Sequence, residues 1–182
     1  LLDYHDPERV EAMGGGTVTR WHGMTRMVGV RLPRSAPRLA TGRGRSSRMD
    51  FVSGCCMLVS QSVLGQVGIL DDRYFIYSED TDWGLRITRA GYMLAYAPAA
   101  EVWHKGSTTM VRRSPWQDYH SVHSTLLLVH KHNPALLPFA FAYSVGRCLL
   151  PKLPRGQWSR MRAVARAYAQ IGRRLLGSGS QT

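Results

Sequence analysis

Residues 68–107 read GILDDRYFIYSEDTDWGLRITRAGYMLAYAPAAEVWHKGS, and their order of turn, acid, aromatic and glycine decides the fold. Asp71-Asp72 predicts a turn, followed by the aromatic run Tyr74–Tyr77. Ser78 stands where an N-cap belongs, and Gly91 supplies the C-terminal stop. Glu79, Asp80 and Asp82 fall in the first turn, where the helix dipole favours each acid by ~0.3–1 kcal/mol with no function required. Trp83, Ile87 and Ala90 share one face of the predicted helix. Beyond it, Tyr92–Ala97 predicts a short strand ended by Pro98, and Glu101–His104 predicts another. Upstream, Phe51–Val59 (FVSGCCMLV) is a compact apolar run expected as a buried strand, and Ser60 or Ser62 caps a short helix that stops at Gly68. Strands and helices alternate, so the class is α/β.

Outward from this block the signals change. Trp116–His132 reads as a helix closed by Asn133-Pro134. Trp158, Met161, Val164 or Ala165, Tyr168, Ile171 and Leu175 recur at helical spacing, with Arg160, Arg162, Arg166, Arg173 and Arg174 opposite, which predicts a basic amphipathic helix. Lys105–Pro115 is small, polar and basic and is expected to be a mobile loop. Residues 1–19 are turn-rich. Gly14-Gly15-Gly16 lacks the lysine and the strand–loop–helix setting of a phosphate loop, so it is expected to be a turn. Residues 20–48 hold eight arginines and no acid among Gly, Pro and Ser, an expected surface loop with short strands.

Net charge is +12, and all twelve acids lie between Asp3 and Asp118. From Tyr119 onward there are nine Lys and Arg and no acid, so the chain divides into a mixed-charge body, 1–133, and a basic tail, 134–182. Such a tail favours an anionic membrane surface; nucleic acid is disfavoured, because no RNA-recognition or zinc-finger signature accompanies it. A 44% hydrophobic, 20% charged composition excludes a disordered or fibrous chain. The longest apolar run, Pro134–Gly146, falls short of the ~20 residues needed to span a bilayer, and no secretory leader is expected. Cys55, Cys56 and Cys148 form no CxxC pair and are expected as buried small hydrophobes in a reducing cytoplasm.

The block from Phe51 to Lys105 resembles the C-terminal half of family-2 glycosyltransferases of the rhamnosyltransferase type, which build bacterial polysaccharides. The residues that carry the likeness are the Gly-containing FVSGCCMLV, then Gly68-Ile69-Leu70-Asp71, Tyr74-Phe75, Glu79-Asp80, Asp82-Trp83, Arg86, Arg89-Ala90-Gly91-Tyr92, Pro98 and Trp103-His104-Lys105. The resemblance implies the C-terminal half of a GT-A (Rossmann-like) domain, followed by the basic helical tail. It implies an inverting enzyme moving a sugar, rhamnose by likeness, from a nucleotide-diphosphate donor to a polyprenyl-diphosphate-linked saccharide at the inner face of the cell membrane. Asp80 would be the general base, with Glu79 beside it. Gly54, Asp82, Trp83, Arg86 and Lys105 would touch substrate, and His104 would be a ligand of Mg²⁺ or Mn²⁺ whose other ligands lie elsewhere.

Two departures from the family pattern stand out. No opening βαβ unit and no strand-end DxD precede the block, so the nucleotide-binding half is expected from a longer chain or a separate polypeptide. Asp80-Thr81-Asp82 spells DxD but lies inside a predicted helix, so it is not assigned to metal. His123-Ser124 stands where the family often has Arg-Asn. A reading of another class is a catalytically silent basic module on a membrane or nucleic acid; it leaves the dense acidic and aromatic block without purpose.

Overall fold

The computed structural model describes residues 1–36, 49–106 and 113–177. Residues 37–48 of the arginine-rich stretch and 107–112 of the expected loop lie outside them. The chain divides into two units.

The first unit comprises Leu1–Val18, Thr25–Arg73 and Glu79–Thr108. Its larger sheet has the order β3-β2-β4, from Thr25–Met27, Gly15–Val18 and Phe51–Val52, all antiparallel. The expected glycine turn is therefore only partly a turn. Gly14, at φ 82, makes it, but Gly15 and Gly16 run in the central strand. The reason is space: a Cβ on Gly15 would stand 1.9 Å from the Phe51 carbonyl oxygen. A second, parallel pair joins β1 (Leu2–Asp3) to β5 (Trp103–His104) in the register Leu2↔Trp103 and Asp3↔His104.

The strand expected over Phe51–Val59 stops at Val52. Ser53 N–H bonds to the Gly14 carbonyl at 3.0 Å, and Cys56 N–H turns back to the Ser53 carbonyl at 3.2 Å. Gly54 sits inside this turn, Leu58 is fully exposed, and Cys55 and Cys56 are exposed rather than buried. Tyr92–Ala97 keeps the alternation of a strand, with Leu94 buried and Met93 exposed, yet it joins no ladder among the described residues. A period-2 pattern predicts which side chains turn inward; it does not create a partner.

Helix α1, Gln61–Val67, is capped by Ser60 Oγ accepting from Val63 N–H and ends at Gly68, as expected. Helix α2, Glu79–Arg89, closes on Gly91 at φ 87. Ser78 has φ 66, outside the extended region a capping serine adopts. Trp83 and Ile87 do share the buried face, with Met49, Val63 and Leu94, whereas Ala90 is exposed. Gly84 lets α2 lie directly on β4, since a Cβ there would stand 2.5 Å from the Asp50 carbonyl oxygen and 2.6 Å from Phe51 Cα.

The second unit comprises Thr19–Met24, Tyr74–Ser78 and Thr109–Thr182. Helix α3, Pro115–His132, starts on Ser114, whose hydroxyl accepts from Gln117 N–H, and ends at Asn133. A 3₁₀ turn (Pro134–Leu136) leads into α4, Leu137–Ser144, and the coil continues through a π turn (Val145–Leu149) and a 3₁₀ turn (Leu150–Lys152). Helix α5, Trp158–Gly177, packs on α3. Its buried stripe is Ala163, Val164, Ala167 and Ile171, with the alanines allowing a close approach. That stripe is rotated from the expected face: Trp158 is exposed, and Arg160 is held at 2.6 and 3.1 Å by both oxygens of Asp118. Residues on both sides of position 133 thus pack within one unit.

Candidate functional site

Helix α2 carries both acids of the Glu79-Asp80 pair, and the turn after β4 meets it. Asp80 Oδ2 accepts from Gly54 N–H at 3.0 Å, and Oδ1 accepts from Thr81 N–H at 2.7 Å and from the Thr81 hydroxyl at 3.3 Å. These donors fix the carboxylate and fill Oδ1, while Oδ2 keeps lone-pair capacity for a further donor. Glu79 differs in kind. Burial pushes its carboxyl above the ordinary value, and the Asp80 charge adds to this against its own backbone hydrogen bond. Its Oε2 is buried and meets no hydrogen-bond partner among the described residues. Two adjacent acids are therefore in unlike states, one anchored by donors and one desolvated.

Asp80 opens onto a cavity of about 600 Å³ within this unit, walled by Val52, Met57, Val59, Trp83, Met93 and Leu94. The lining is mainly apolar, with Ser60, Tyr92 and Tyr96 adding polar groups to that of Asp80, the mixture expected of a small-molecule site.

Three further expected substrate contacts are engaged within the unit. Asp82 is fully buried and pairs with Arg86 Nε at 2.9 Å. Arg86 donates its remaining groups to the Val67 carbonyl at 2.8 Å and the Ile69 carbonyl at 2.6 Å. Trp83 is 6% exposed and gives its Nε1–H to the Gly68 carbonyl at 2.9 Å. Together these side chains tie α2 to the end of α1. As placed, Asp82 and Arg86 bond to each other and to the end of α1, and Trp83 lines the cavity while its indole N–H is engaged. Lys105 has its Nζ 4.9 Å from the centroid of the Tyr4 ring, a cation–π contact.

His104 ends β5, where the parallel pairing with β1 sets its place. Its Nδ1 donates to Glu11 Oε2 at 2.7 Å, and Cys55 Sγ lies 3.5 Å from Nε2. A carboxylate on one ring nitrogen fixes the tautomer and leaves the other its lone pair for a metal, the usual support of a metal-binding histidine. His104 thus fits the role of one ligand. Among the described residues no group of three or more His, Cys, Asp and Glu could hold an ion, so the other ligands of a divalent ion would come from outside them. Sequence reading missed Glu11 and Cys55. Glu11 lies 93 positions from His104, and no local pattern announces that pairing.

A sequence profile described as glycosyltransferase-like family 2 matches residues 13–122, which spans β2, the Asp80 helix, β5 and the start of α3. The chain belongs to glycosyltransferase family 2. It is also 50% identical over 56 residues to the N-acetylglucosaminyl-diphospho-decaprenol L-rhamnosyltransferases of two Mycobacterium tuberculosis strains, CDC 1551 / Oshkosh and ATCC 25618 / H37Rv. That match covers 31% of this chain and 18% of each relative. The glycosyltransferase therefore shares a short, dense stretch with those enzymes rather than their whole length. Among its described residues no helix is long and apolar enough to cross a membrane.

Proposed function

We propose that this chain is the acceptor-side, base-carrying half of an inverting GT-A glycosyltransferase. The observation that carries the reading is the Asp80 carboxylate, fixed by two backbone N–H groups in the lining of a mainly apolar cavity. A sugar hydroxyl is a weak nucleophile until its proton has somewhere to go. Asp80 accepts that proton as the hydroxyl oxygen bonds to the donor's anomeric carbon and the bond to the diphosphate breaks, so configuration inverts. A positioned base is worth ~10²–10⁴-fold in rate. Glu79, desolvated and with an unpaired oxygen, hydrogen-bonds the acceptor. Gly54 orients the base through its N–H. His104, steadied by Glu11, supplies one ligand to Mg²⁺ or Mn²⁺, which would neutralise charge on the leaving diphosphate. Lys105 stands next to it as a further cation for the donor.

The rhamnosyltransferase likeness supports rhamnose as the transferred sugar and a polyprenyl-diphosphate-linked saccharide as the acceptor. The nucleotide-binding half belongs to a longer chain or a partner polypeptide, and the basic tail rests on the anionic inner face of the cell membrane, where such acceptors reside. The test is Asp80→Asn in the complete enzyme. Turnover should fall ~10²-fold or more with donor affinity unchanged. Turnover near that of the parent would remove Asp80 from the role of base.

A further inference from the structure

The apolar stripe of α5 is covered by α3, so it has nothing to offer a bilayer. Several exposed apolar side chains of the second unit lie instead along one stretch of chain. Along the coil from Leu137 to Lys152, Ala140, Ser144 and Lys152 are buried and recur at helical spacing, which fixes the inward side. The outward side carries Phe139 (63% exposed) and Leu150 (50%), and the turn beyond adds Leu153 (44%) and Trp158 (59%), whereas the Phe141 ring packs on Tyr168 of α5. The only charged residues within 138–158 are Arg147, Lys152 and Arg155, all cationic. Arg147 and Arg155 are exposed, as are Arg162 and Arg166 on α5, and no acid follows Asp118 anywhere in the sequence.

We infer that the outward side of residues 138–158 is a shallow membrane-insertion edge, with Phe139, Leu150, Leu153 and Trp158 entering the headgroup–acyl boundary of an anionic bilayer. This rests on the membrane-surface part of the proposed function and gives it a site other than the α5 face. The chemistry selects a lipid surface over the alternatives. Aromatic and branched aliphatic side chains ringed by arginines match a boundary that is apolar below and anionic above. Leu150 and Leu153 can neither stack on bases nor pair with phosphates, so a nucleic acid would leave them wet. Like charge opposes a second copy of the same cationic edge.

The test is co-sedimentation of the full chain with vesicles of phosphatidylglycerol and phosphatidylcholine, and with phosphatidylcholine alone, at low and high salt. Binding should require the anionic lipid and weaken with salt. The double variant Phe139→Ser with Leu150→Ser should lose about tenfold or more in affinity, while Arg162→Gln with Arg166→Gln should lose less and mainly at low salt. Brominated lipid should quench tryptophan emission in the parent and not in Trp158→Phe, a variant that keeps an apolar ring and so preserves the fold. Unchanged binding by the serine double variant, or unchanged quenching in Trp158→Phe, would overturn the proposal. Binding to an RNA homopolymer but not to vesicles would also overturn it, as would concentration-dependent dimerisation in place of vesicle binding. Neither donor nor acceptor is present, so failure here leaves the role of Asp80 untouched, and failure of the transfer assay leaves this result standing.

Discussion

Gly84→Ala is a sharp test of how α2 is held. In an open helix interior, alanine is favoured over glycine by ~0.8–1.0 kcal/mol. At position 84 the added methyl would sit 2.5 Å from the Asp50 carbonyl oxygen, 2.6 Å from Phe51 Cα and 2.7 Å from Phe51 Cβ. Two of these three atoms are backbone in or beside β4, so no rotamer change relieves the overlap. The helix must move away, and over-packing of this kind costs ~1–3 kcal/mol or more. Setting that against the propensity gain leaves a net loss of up to ~2 kcal/mol. Gly65 in α1 is the matched control: a Cβ there meets nothing within 4 Å, so Gly65→Ala should gain ~0.5–1 kcal/mol. Urea denaturation of the pair should shift the midpoint in opposite directions at constant slope. Asp80 lies one turn before Gly84, so a displaced helix also draws its carboxylate from the Gly54 N–H, now at 3.0 Å. Stabilisation of Gly84→Ala to the same degree as Gly65→Ala would refute the close helix-on-strand contact and the anchoring argument built on it.

Glu79→Gln should stabilise the protein at neutral pH. The native carboxyl is raised above its ordinary value of about 4.5, chiefly by burial, so native-state ionisation is disfavoured relative to the unfolded chain. The protonated group's advantage is complete below about 4.5 and is lost as pH rises through the raised native value. The melting-temperature gain from Glu79→Gln should therefore be present near pH 8 and vanish near about pH 4, and a pH-independent gain would contradict the assignment. Glu11→Ala should release the His104 ring, seen as a changed tautomer in nitrogen NMR, and weaken Mn²⁺ binding by ~10–100-fold in the complete enzyme. An unaltered tautomer would show that Glu11 does not position the ring.

What could be read from the sequence, and what could not, divides along the range of the forces involved. Helix α1 with its Ser60 cap and Gly68 stop, α2 with its Gly91 terminator, α3 ending at Asn133 and the existence of α5, though not its buried face, were legible, because capping and periodicity act over a few residues. Of the strands, the one expected over Glu101–His104 forms β5 at Trp103–His104, and the others were less legible. Phe51–Val59 has strand composition throughout, but only Phe51 and Val52 find a partner, in β2, and that partner depends on glycines at positions 15 and 16 that look like a turn. Asp80 could be singled out by its place in the acidic pair. Its neighbours Gly54 and Thr81, and the Glu11 carboxylate behind His104, required the fold.

Asp82 and Arg86 show how members of a dense motif can serve the helix that carries it. A helix whose N-terminal acid must stay in place needs its own foundations, and one turn of α2 supplies them. Asp82 is buried against Arg86, Arg86 reaches two carbonyls at the end of α1, and Trp83 takes a third. Removing one partner of so buried a pair leaves a charge without compensation, which is strongly destabilising. Selection for a fixed Asp80 would then preserve Asp82, Trp83 and Arg86 as firmly as selection for substrate contact. A motif of this kind joins one residue that does chemistry to several that hold it still, and only their burial and hydrogen bonds tell the two sorts apart.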